Sequence, residues 1–227
     1  MALILSLDST TSVCSVAIHQ EGKLIGSNFN PDPRTAASQL GLMVKNLLNE
    51  TRTDPKNISA VAVSSGPGSY TGLRIATSTA KGLCFALNIP LIAVNSLLVL
   101  TKQAIEIIEA DLFCPMLDAR RMEVYCALVN NKVEFVTNVE AKILDQDSFR
   151  DKLNNFRVAF FGDGSDKFKS IINHNNAVFV ESIQPKANEL GQLAFERFRN
   201  QQFEDIEAFE PFYLKDFMVK KKKTEFK

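Results

Sequence analysis

The chain has 227 residues, of which 45% are hydrophobic and 23% charged, and its 26 basic side chains balance 26 acidic ones. This length suits one large or two small globular domains, and the balanced charge excludes a broad nucleic-acid-binding face. A run of four lysines lies at 220–223, so the rest of the chain is slightly acidic.

The cysteines and the N-terminal sequence indicate the cellular compartment of the protein. Each cysteine lies inside an apolar run, and no two form a Cys-x-x-Cys pair, so we expect buried thiols in a reducing compartment; they are Cys14, Cys84, Cys114 and Cys126. The opening MALILSLDS has no basic lead and only a short apolar run, so we expect no signal peptide. No apolar stretch is long enough to span a bilayer, and we expect a cytoplasmic protein.

The first half of the chain predicts an α/β unit. Apolar and β-rich runs predict three antiparallel strands at 2–7, 13–19 and 23–29, the last two joined by a turn at Glu21-Gly22. Helical periodicity and chain breakers then predict a helix at 38–50, a strand at 58–64, a helix at 71–88, a strand at 90–95 and a helix at 96–108. Ser96 is the expected N-cap of the last helix.

The second half repeats this order. It predicts strands at 113–118, 123–129 and 133–139, a short helix at 147–153, a strand at 157–163, a short helix at 165–172, a strand at 177–182 and a helix at 187–200. We therefore predict an α/β protein built from two copies of one plan. The predicted division is an N-terminal lobe at 1–108, a C-terminal lobe at 109–215 and a basic, mobile tail at 216–227.

The stretch SSGPGSYTGLR, residues 64–74, follows a strand and opens a helix, which is the context of a phosphate-binding loop. It lacks the Gly-Lys-Ser/Thr ending of a Walker loop, the distant acidic residue of a dinucleotide site and the Gly-x-Ser-x-Gly of a nucleophile elbow. Close packing is the favoured interpretation, with Gly66, Pro67 and Gly68 as a structural loop. Two stripes of small residues on the helix support it: Gly72, Ala76 and Ala80, and Ser78, Gly82 and Ala86.

Two strand-to-strand turns resemble a degraded nucleotide site. Actin-like ATPases and sugar kinases carry an Asp-x-Gly-Ser/Thr turn around the phosphates, and here Asp8-Ser9-Thr10-Thr11 keeps the aspartate without the glycine. In the second copy Asp118 recurs, but Arg120 fills the turn together with Arg121 and Met122. The alternative for the first turn is a local Asx or Ser/Thr turn that closes the hairpin. Both features predict that the nucleotide-binding cleft is not functional.

The remaining polar motifs do not indicate a catalytic or metal-binding site. In FGDG, residues 161–164, Gly162 and Gly164 form a second glycine turn that could contact a ribose or base, although Asp163 or Ser165 as a helix cap is commoner. His19 and His174 are far apart and lack a metal or triad pattern, so we expect no bound metal, no cofactor and no hydrolase chemistry.

In order along nearly the whole chain, the opening LSLDSTTSVCSVAIHQEGKLI, the string GPGSYTGLR, MLDARRMEVYCAL, FGDG and EPFYLK resemble the TsaB family, also called YeaZ. The resemblance implies an actin-like ATPase fold with two ribonuclease-H-like lobes. It implies a non-catalytic scaffold for the related TsaD, which transfers threonylcarbamoyl to N6 of an adenosine beside the anticodon of tRNA. It also implies a TsaE-type ATPase in the complex and a homodimer through the TsaD-binding surface, while tRNA is contacted indirectly. The family usually carries a histidine near the start of its first helix, where this chain has Ala36 and Ala37.

From this resemblance we expect a partner interface on the two helices of the first lobe. The expected residues are Leu40, Met43, Val44 and Leu47 on the first helix and Gly72, Arg74, Ala76, Thr79 and Ala80 on the second. The sequence does not divide these residues between interface and core, and core is the default for any one of them. Arg74 is either an ordinary surface cation or a bridge to a partner carboxylate. The lysine tail either attracts tRNA phosphates weakly or acts as a solubilising end. The alternative functions are an ATP-dependent phosphotransferase of the actin-like class and a peptidase.

Overall fold

The computed structural model describes residues 1–32 and 36–214. The first half of these residues forms β1 (Leu3–Asp8), β2 (Cys14–Gln20), β3 (Lys23–Asn30), α1 (Ala36–Glu50), β4 (Ala60–Ser64), α2 (Tyr70–Leu87), β5 (Leu91–Val94) and α3 (Ser96–Ala104). The second half forms β6 (Leu112–Asp118), β7 (Glu123–Cys126), β8 (Glu140–Ile143), α4 (Arg150–Leu153), β9 (Val158–Phe161), α5 (Ser165–Lys169), β10 (Ala177–Val180) and α6 (Ala187–Arg199).

The strands form two five-stranded mixed sheets with the same topology. The first has the order β3-β2-β1-β4-β5, and the second, taken in the same direction, has the order β8-β7-β6-β9-β10. In each, the first three strands pair antiparallel, and the last two are parallel to the first strand. This is the ribonuclease-H-like plan, and its duplication is the actin-like ATPase fold. The predicted fold class is confirmed.

Helices cover both faces of the first sheet. Alternate residues of β1 point to opposite sides, so Leu5 and Leu7 pack under α1 and α2 while Ile4 packs under α6. The second sheet has a core rich in phenylalanine, where Phe149, Phe160 and Phe168 meet edge to face at ring distances of 4.9 to 5.5 Å. Helix α3 packs on the second sheet's other face.

The C-terminal helix corrects the predicted lobe boundary. Residues 187–200 were expected in the lobe 109–215, but Leu190 and Ala194 of α6 pack on the first sheet. The chain beyond α6 stays there, because Glu204 pairs with Leu91 at the edge of β5 and the Phe212 N–H donates to the carbonyl of Ser65. Amphipathic periodicity shows that a helix covers a sheet and does not show which sheet.

Two smaller expectations are also corrected. Asn95 rather than Ser96 caps α3, because its side chain accepts the Leu97 N–H at 2.9 Å. The third strand of the second sheet lies at Glu140–Ile143 and not at 133–139, where the chain turns through a positive φ at Val133. The tail at 216–227, with its lysine run, lies outside the described residues.

Candidate functional site

The turn after β1 is closed by hydrogen bonds to the side chain of Asp8. Asp8 is buried, and its carboxylate accepts hydrogen bonds from the Thr10 N–H at 3.1 Å, from the Thr10 hydroxyl at 3.0 Å and from the Ser64 hydroxyl. Burial raises the pKa of Asp8, and these hydrogen bonds oppose the rise. The aspartate therefore ties the ends of β1 and β4 together and has the local partners of an Asx turn.

The glycine loop fills the space in front of that turn. The Ser69 N–H donates to the Thr10 carbonyl at 2.6 Å. A Cβ added to Gly68 would lie 2.4 Å from the Thr10 methyl, and a Cβ added to Gly72 would lie 1.9 Å from the Ser9 carbonyl oxygen. Glycine is required because another backbone approaches this closely. The neighbour that comes so near is the turn at Asp8, Ser9 and Thr10 of the same chain.

The loop is also fixed on its other side. Its first glycine, Gly66, has φ 103°, precedes a cis peptide to Pro67, and donates its N–H to the Ser96 hydroxyl at 3.1 Å. The Ser96 N–H donates back to the Gly66 carbonyl at 3.0 Å. The loop therefore joins the turn after β1 to α2 and α3 by hydrogen bonds and close backbone contacts.

The expected interface residues lie on both sides of the two helices. Seven of them are buried inside the lobe and cannot present a surface, which corrects the prediction for Leu40, Met43, Val44, Leu47, Gly72, Ala76 and Ala80. The apolar ones pack on the first sheet, and Gly72 packs on the Ser9 backbone. Thr79 is partly buried and Arg74 is exposed. The exposed stripe of α2 is instead the second one, with Ser78, Gly82 and Ala86.

Two large apolar side chains on the outer surface of these helices were not predicted from the sequence as exposed residues. Phe85 on α2 is 84% exposed, and Leu42 on α1 is 55% exposed. Around Gly41 and Gly82, a Cβ would meet no atom within 4 Å. We use the name α1–α2 face for these exposed residues of the two helices: Gly41 and Leu42 of α1, and Ser78, Gly82, Phe85 and Ala86 of α2. Leu42 and Phe85 are apolar like the buried residues of α1 and α2. Helical periodicity alone therefore predicts that they are core residues.

An aromatic cluster stands at the start of α2. The rings of Tyr70 and Tyr213 lie 4.9 Å apart. Arg74 donates to the Tyr70 hydroxyl at 3.1 Å and lies over its ring. The segment that carries Tyr213 is held along α2, because Lys81 donates to the carbonyls of Glu207 and Phe209. Tyr213 belongs to the motif EPFYLK, whose role in closing the first lobe the sequence did not reveal.

The second turn, after β6, holds an ion pair and a backbone hydrogen bond to the same aspartate. Asp118 Oδ1 lies 2.6 Å from Lys167 Nζ and accepts the Arg120 N–H at 2.5 Å. Asp163 does not cap α5 as expected, because its carboxylate accepts the Asp118 N–H at 2.9 Å, and the Ser165 hydroxyl donates to the Gly162 carbonyl. A Cβ on Gly162 would lie 2.3 Å from the Met116 carbonyl, and one on Gly164 would lie 3.0 Å from the Leu117 backbone.

The other titratable groups are buried among apolar neighbours. Burial lowers the pKa of His19 to about 4 and raises the pKa of the Cys14 and Cys84 thiols to about 11. All four cysteines are buried, as expected, and none forms a disulfide with another described residue. Burial also raises the pKa of Glu189, in the first turn of α6. Groups with these shifts favour their neutral forms.

Neither a metal-binding cluster nor a membrane-spanning helix occurs among the described residues. Across 1–32 and 36–214, no three histidine, cysteine, aspartate or glutamate side chains converge as a metal site. Over the same residues, no helix combines the length and apolar character needed to cross a bilayer. The side chains of Ala36 and Ala37, where relatives were expected to have a histidine, are outside the description.

Comparison with known proteins gives consistent matches. The family model "TsaD: tRNA N6-adenosine threonylcarbamoyltransferase" matches residues 33–223. The tRNA threonylcarbamoyladenosine biosynthesis protein TsaB of Escherichia coli (strain K12) is 27% identical over 225 residues, covering 96% of this chain and 97% of that protein. TsaB of Bacillus subtilis (strain 168) is 33% identical over 129 residues, which are 57% of this chain and 56% of that protein.

Solved structures agree. YeaZ from Pseudomonas aeruginosa superposes with a TM-score of 0.80 at 27% identity, covering 94% of this chain and all of that one. A protein of the same organism, described as uncharacterized with similarity to peptidase YeaZ, gives a TM-score of 0.85 at 28% identity over 95% of this chain and all of its own. Sequence and fold thus match the same proteins from end to end, and the chain belongs to the TsaB (YeaZ) family, within the wider group that the TsaD family model describes.

Proposed function

We propose that this protein is a non-catalytic scaffold subunit in the formation of N6-threonylcarbamoyladenosine in tRNA, beside the anticodon. In this proposal it binds a TsaD-type threonylcarbamoyltransferase and activates it. A TsaE-type ATPase joins the complex, and tRNA is the substrate of the assembly. The names of the relatives, which are tRNA threonylcarbamoyladenosine biosynthesis proteins, support the pathway.

The observation that carries the proposal is the α1–α2 face. Burial of a phenylalanine side chain is worth about 1.5–3 kcal/mol, so a partner that covers Phe85, which is 84% exposed, would gain binding free energy from it. The open space around Gly41 and Gly82 lets a second helix approach closely. Such a surface suits a pair of helices from a partner with a related fold.

The relatives support the choice of a TsaD-type partner. A tRNA N6-adenosine threonylcarbamoyltransferase of Ligilactobacillus salivarius (strain UCC118) is 31% identical to this chain over 109 residues, which are 41% of this chain and 32% of that protein. In this proposal the partner presents two helices equivalent to α1 and α2, and the two proteins dock face to face as a four-helix contact. In the absence of that partner, a second copy of this chain offers the same surface, and the contact becomes an isologous homodimer.

The closed turns support a subunit without catalysis of its own. In the first lobe the Thr10 side chain and the backbone of Gly68 occupy the position in front of the Asp8 turn. In the second lobe Asp118 is bound to Lys167. Both aspartates are therefore engaged by groups of the same chain, which counts against the alternative of a phosphotransferase.

The experiment compares two charge substitutions at exposed apolar residues. Phe85→Glu should abolish pull-down of the purified TsaD-type partner and stop threonylcarbamoyladenosine formation in a reconstituted reaction. Ile107→Glu is the matched control, because Ile107 is 62% exposed and lies outside the α1–α2 face. Both variants should keep the melting temperature of the unmodified protein. Undiminished binding by Phe85→Glu, or equal loss in both variants, would refute the proposed interface.

A further inference from the structure

The loop between β6 and β7 has an unusual backbone. Two consecutive arginines have positive φ angles, 70° at Arg120 and 52° at Arg121. Side chains with a Cβ disfavour this region, and glycine, asparagine and aspartate are its usual occupants. Strained backbone persists only where the surrounding structure enforces it, and it concentrates at functional sites. The loop therefore retains two arginines at positions where glycine would relieve strain.

The surrounding contacts hold this loop rigidly. Asp118 accepts the Arg120 N–H, and the Ala119 N–H donates to the Glu123 carbonyl at 3.1 Å. Lys167 binds Asp118 and also donates to the Glu123 carbonyl at 2.9 Å. The Lys167 ammonium neutralises the Asp118 carboxylate, so that carboxylate does not compensate the charge of the two guanidinium groups.

Both guanidinium groups are available to a ligand. Arg120 and Arg121 are exposed, and among the described residues no carboxylate forms an ion pair with either. They stand out on a chain whose charge, apart from the lysine run, is slightly acidic. The loop lies at the carboxyl end of β6, beside the β9–α5 turn, where Gly164 packs on Asp118. This edge is the ligand-binding side of open α/β sheets.

We propose that Arg120 and Arg121 bind phosphate groups of the tRNA backbone while the tRNA is held for modification. A guanidinium group pairs with phosphate through two parallel hydrogen bonds, and phosphate contacts supply most of the sequence-independent affinity for nucleic acid. A turn of fixed shape presents the two groups with little loss of entropy on binding. The inference rests on the proposed function, because it requires a complex that takes tRNA.

The test measures RNA affinity in the assembled complex. The chain is combined with its TsaD-type partner and a transcript of a tRNA that reads codons beginning with A, and binding is followed by fluorescence anisotropy from about 50 to 200 mM salt. The double variant Arg120→Gln, Arg121→Gln should weaken binding roughly tenfold. It should also reduce the slope of log affinity against log salt by about 1–2, since each phosphate group that is no longer neutralised lowers the slope by about one.

A matched double variant controls for charge. Arg197→Gln, Arg199→Gln removes the same charge from the last turn of α6 and should leave affinity and slope nearly unchanged. An equal loss in this control would overturn the proposal, because charge alone would then explain the effect. Unchanged RNA binding by the loop variant would also overturn the proposal. Loss of partner pull-down by the loop variant would overturn it too, because the two arginines would then pair with carboxylates of the partner. Failure of the proposed function would give a different result, because the unmodified chain itself would then not bind the TsaD-type partner.

A second variant tests the strain directly. Arg120→Gly, Arg121→Gly should raise the melting temperature by about 2–4 °C, because glycine adopts positive φ freely, and it should weaken RNA binding as the glutamine variant does. A melting temperature that stays the same or falls would contradict the strained loop and the proposal drawn from it.

Discussion

Gly191 of α6 lies directly against the imidazole of His19 on β2, so close that a Cβ on the glycine would stand 2.0 Å from Nδ1. The contact joins a helix from the end of the chain to a strand near its beginning. It also seals the imidazole away from water, since His19 is fully buried. The histidine is therefore part of the packing between α6 and the first sheet.

Stability should fall with acidity because of His19. Its pKa is about 4 in the folded protein and about 6.5 when unfolded, so between these values the unfolded chain binds more protons. The contribution is complete above pH 6.5 and is lost as the pH falls towards 4, to a limit of about 3 kcal/mol. Urea unfolding at a series of pH values should show this slope.

The variant His19→Leu should flatten that slope relative to the unmodified protein. Other groups, among them Asp8 with its raised pKa, titrate equally in both proteins, so the difference between the two curves isolates the histidine. Parallel curves for the two proteins would show that His19 does not titrate in the way its burial implies.

The two glycines of α2 should respond oppositely to alanine. Gly72→Ala places a methyl group against the Ser9 carbonyl and should destabilise the protein by about 2 kcal/mol or more. Gly82→Ala meets open space and should stabilise it by about 0.5–1 kcal/mol, as expected for an exposed helix interior. Chemical denaturation provides both values. A neutral Gly72→Ala would mean that the glycine loop does not press on the Ser9 turn.

Arginine substitutions on opposite sides of α2 should also separate core from surface. Ala76 is 1% exposed, so Ala76→Arg buries an unpaired charge at a cost of several kcal/mol and should unfold the protein. Ser78→Arg lies on the α1–α2 face and should change stability by less than about 0.5 kcal/mol while blocking the partner. Circular dichroism and pull-down together test this, and a well-folded Ala76→Arg would contradict the assigned core.

Calorimetric titration of the isolated chain with Mg-ATP should show no binding in the micromolar range. Thr10→Gly alone should not restore it, because the Ser69 N–H to Thr10 carbonyl hydrogen bond is made by backbone and keeps the glycine loop in place. Micromolar affinity in the unmodified chain would revive the phosphotransferase alternative.

The duplicated α/β plan was predictable from the sequence because each buried strand is a short apolar run and each long helix has its own periodicity. The helices of the first lobe show the limit of that reasoning. Leu40 and Leu42 are both apolar positions of α1, yet one is buried and the other exposed, and only the direction of each side chain relative to the sheet decides between them. The partner of a glycine is equally hidden, since the spacing of Gly68 and Gly72 does not reveal the turn at Ser9 and Thr10.

The position of α6 has a consequence for synthesis of the protein on the ribosome. One face of the first sheet is covered by residues 187–199, so the N-terminal half cannot complete its core until the last part of the chain has been released. A nascent or truncated chain that ends before Ala187 leaves Ile4, Ala62 and Ile92 open to water. Such fragments should therefore aggregate or be degraded, and the two halves of the duplication cannot be produced as independent domains by cutting between them.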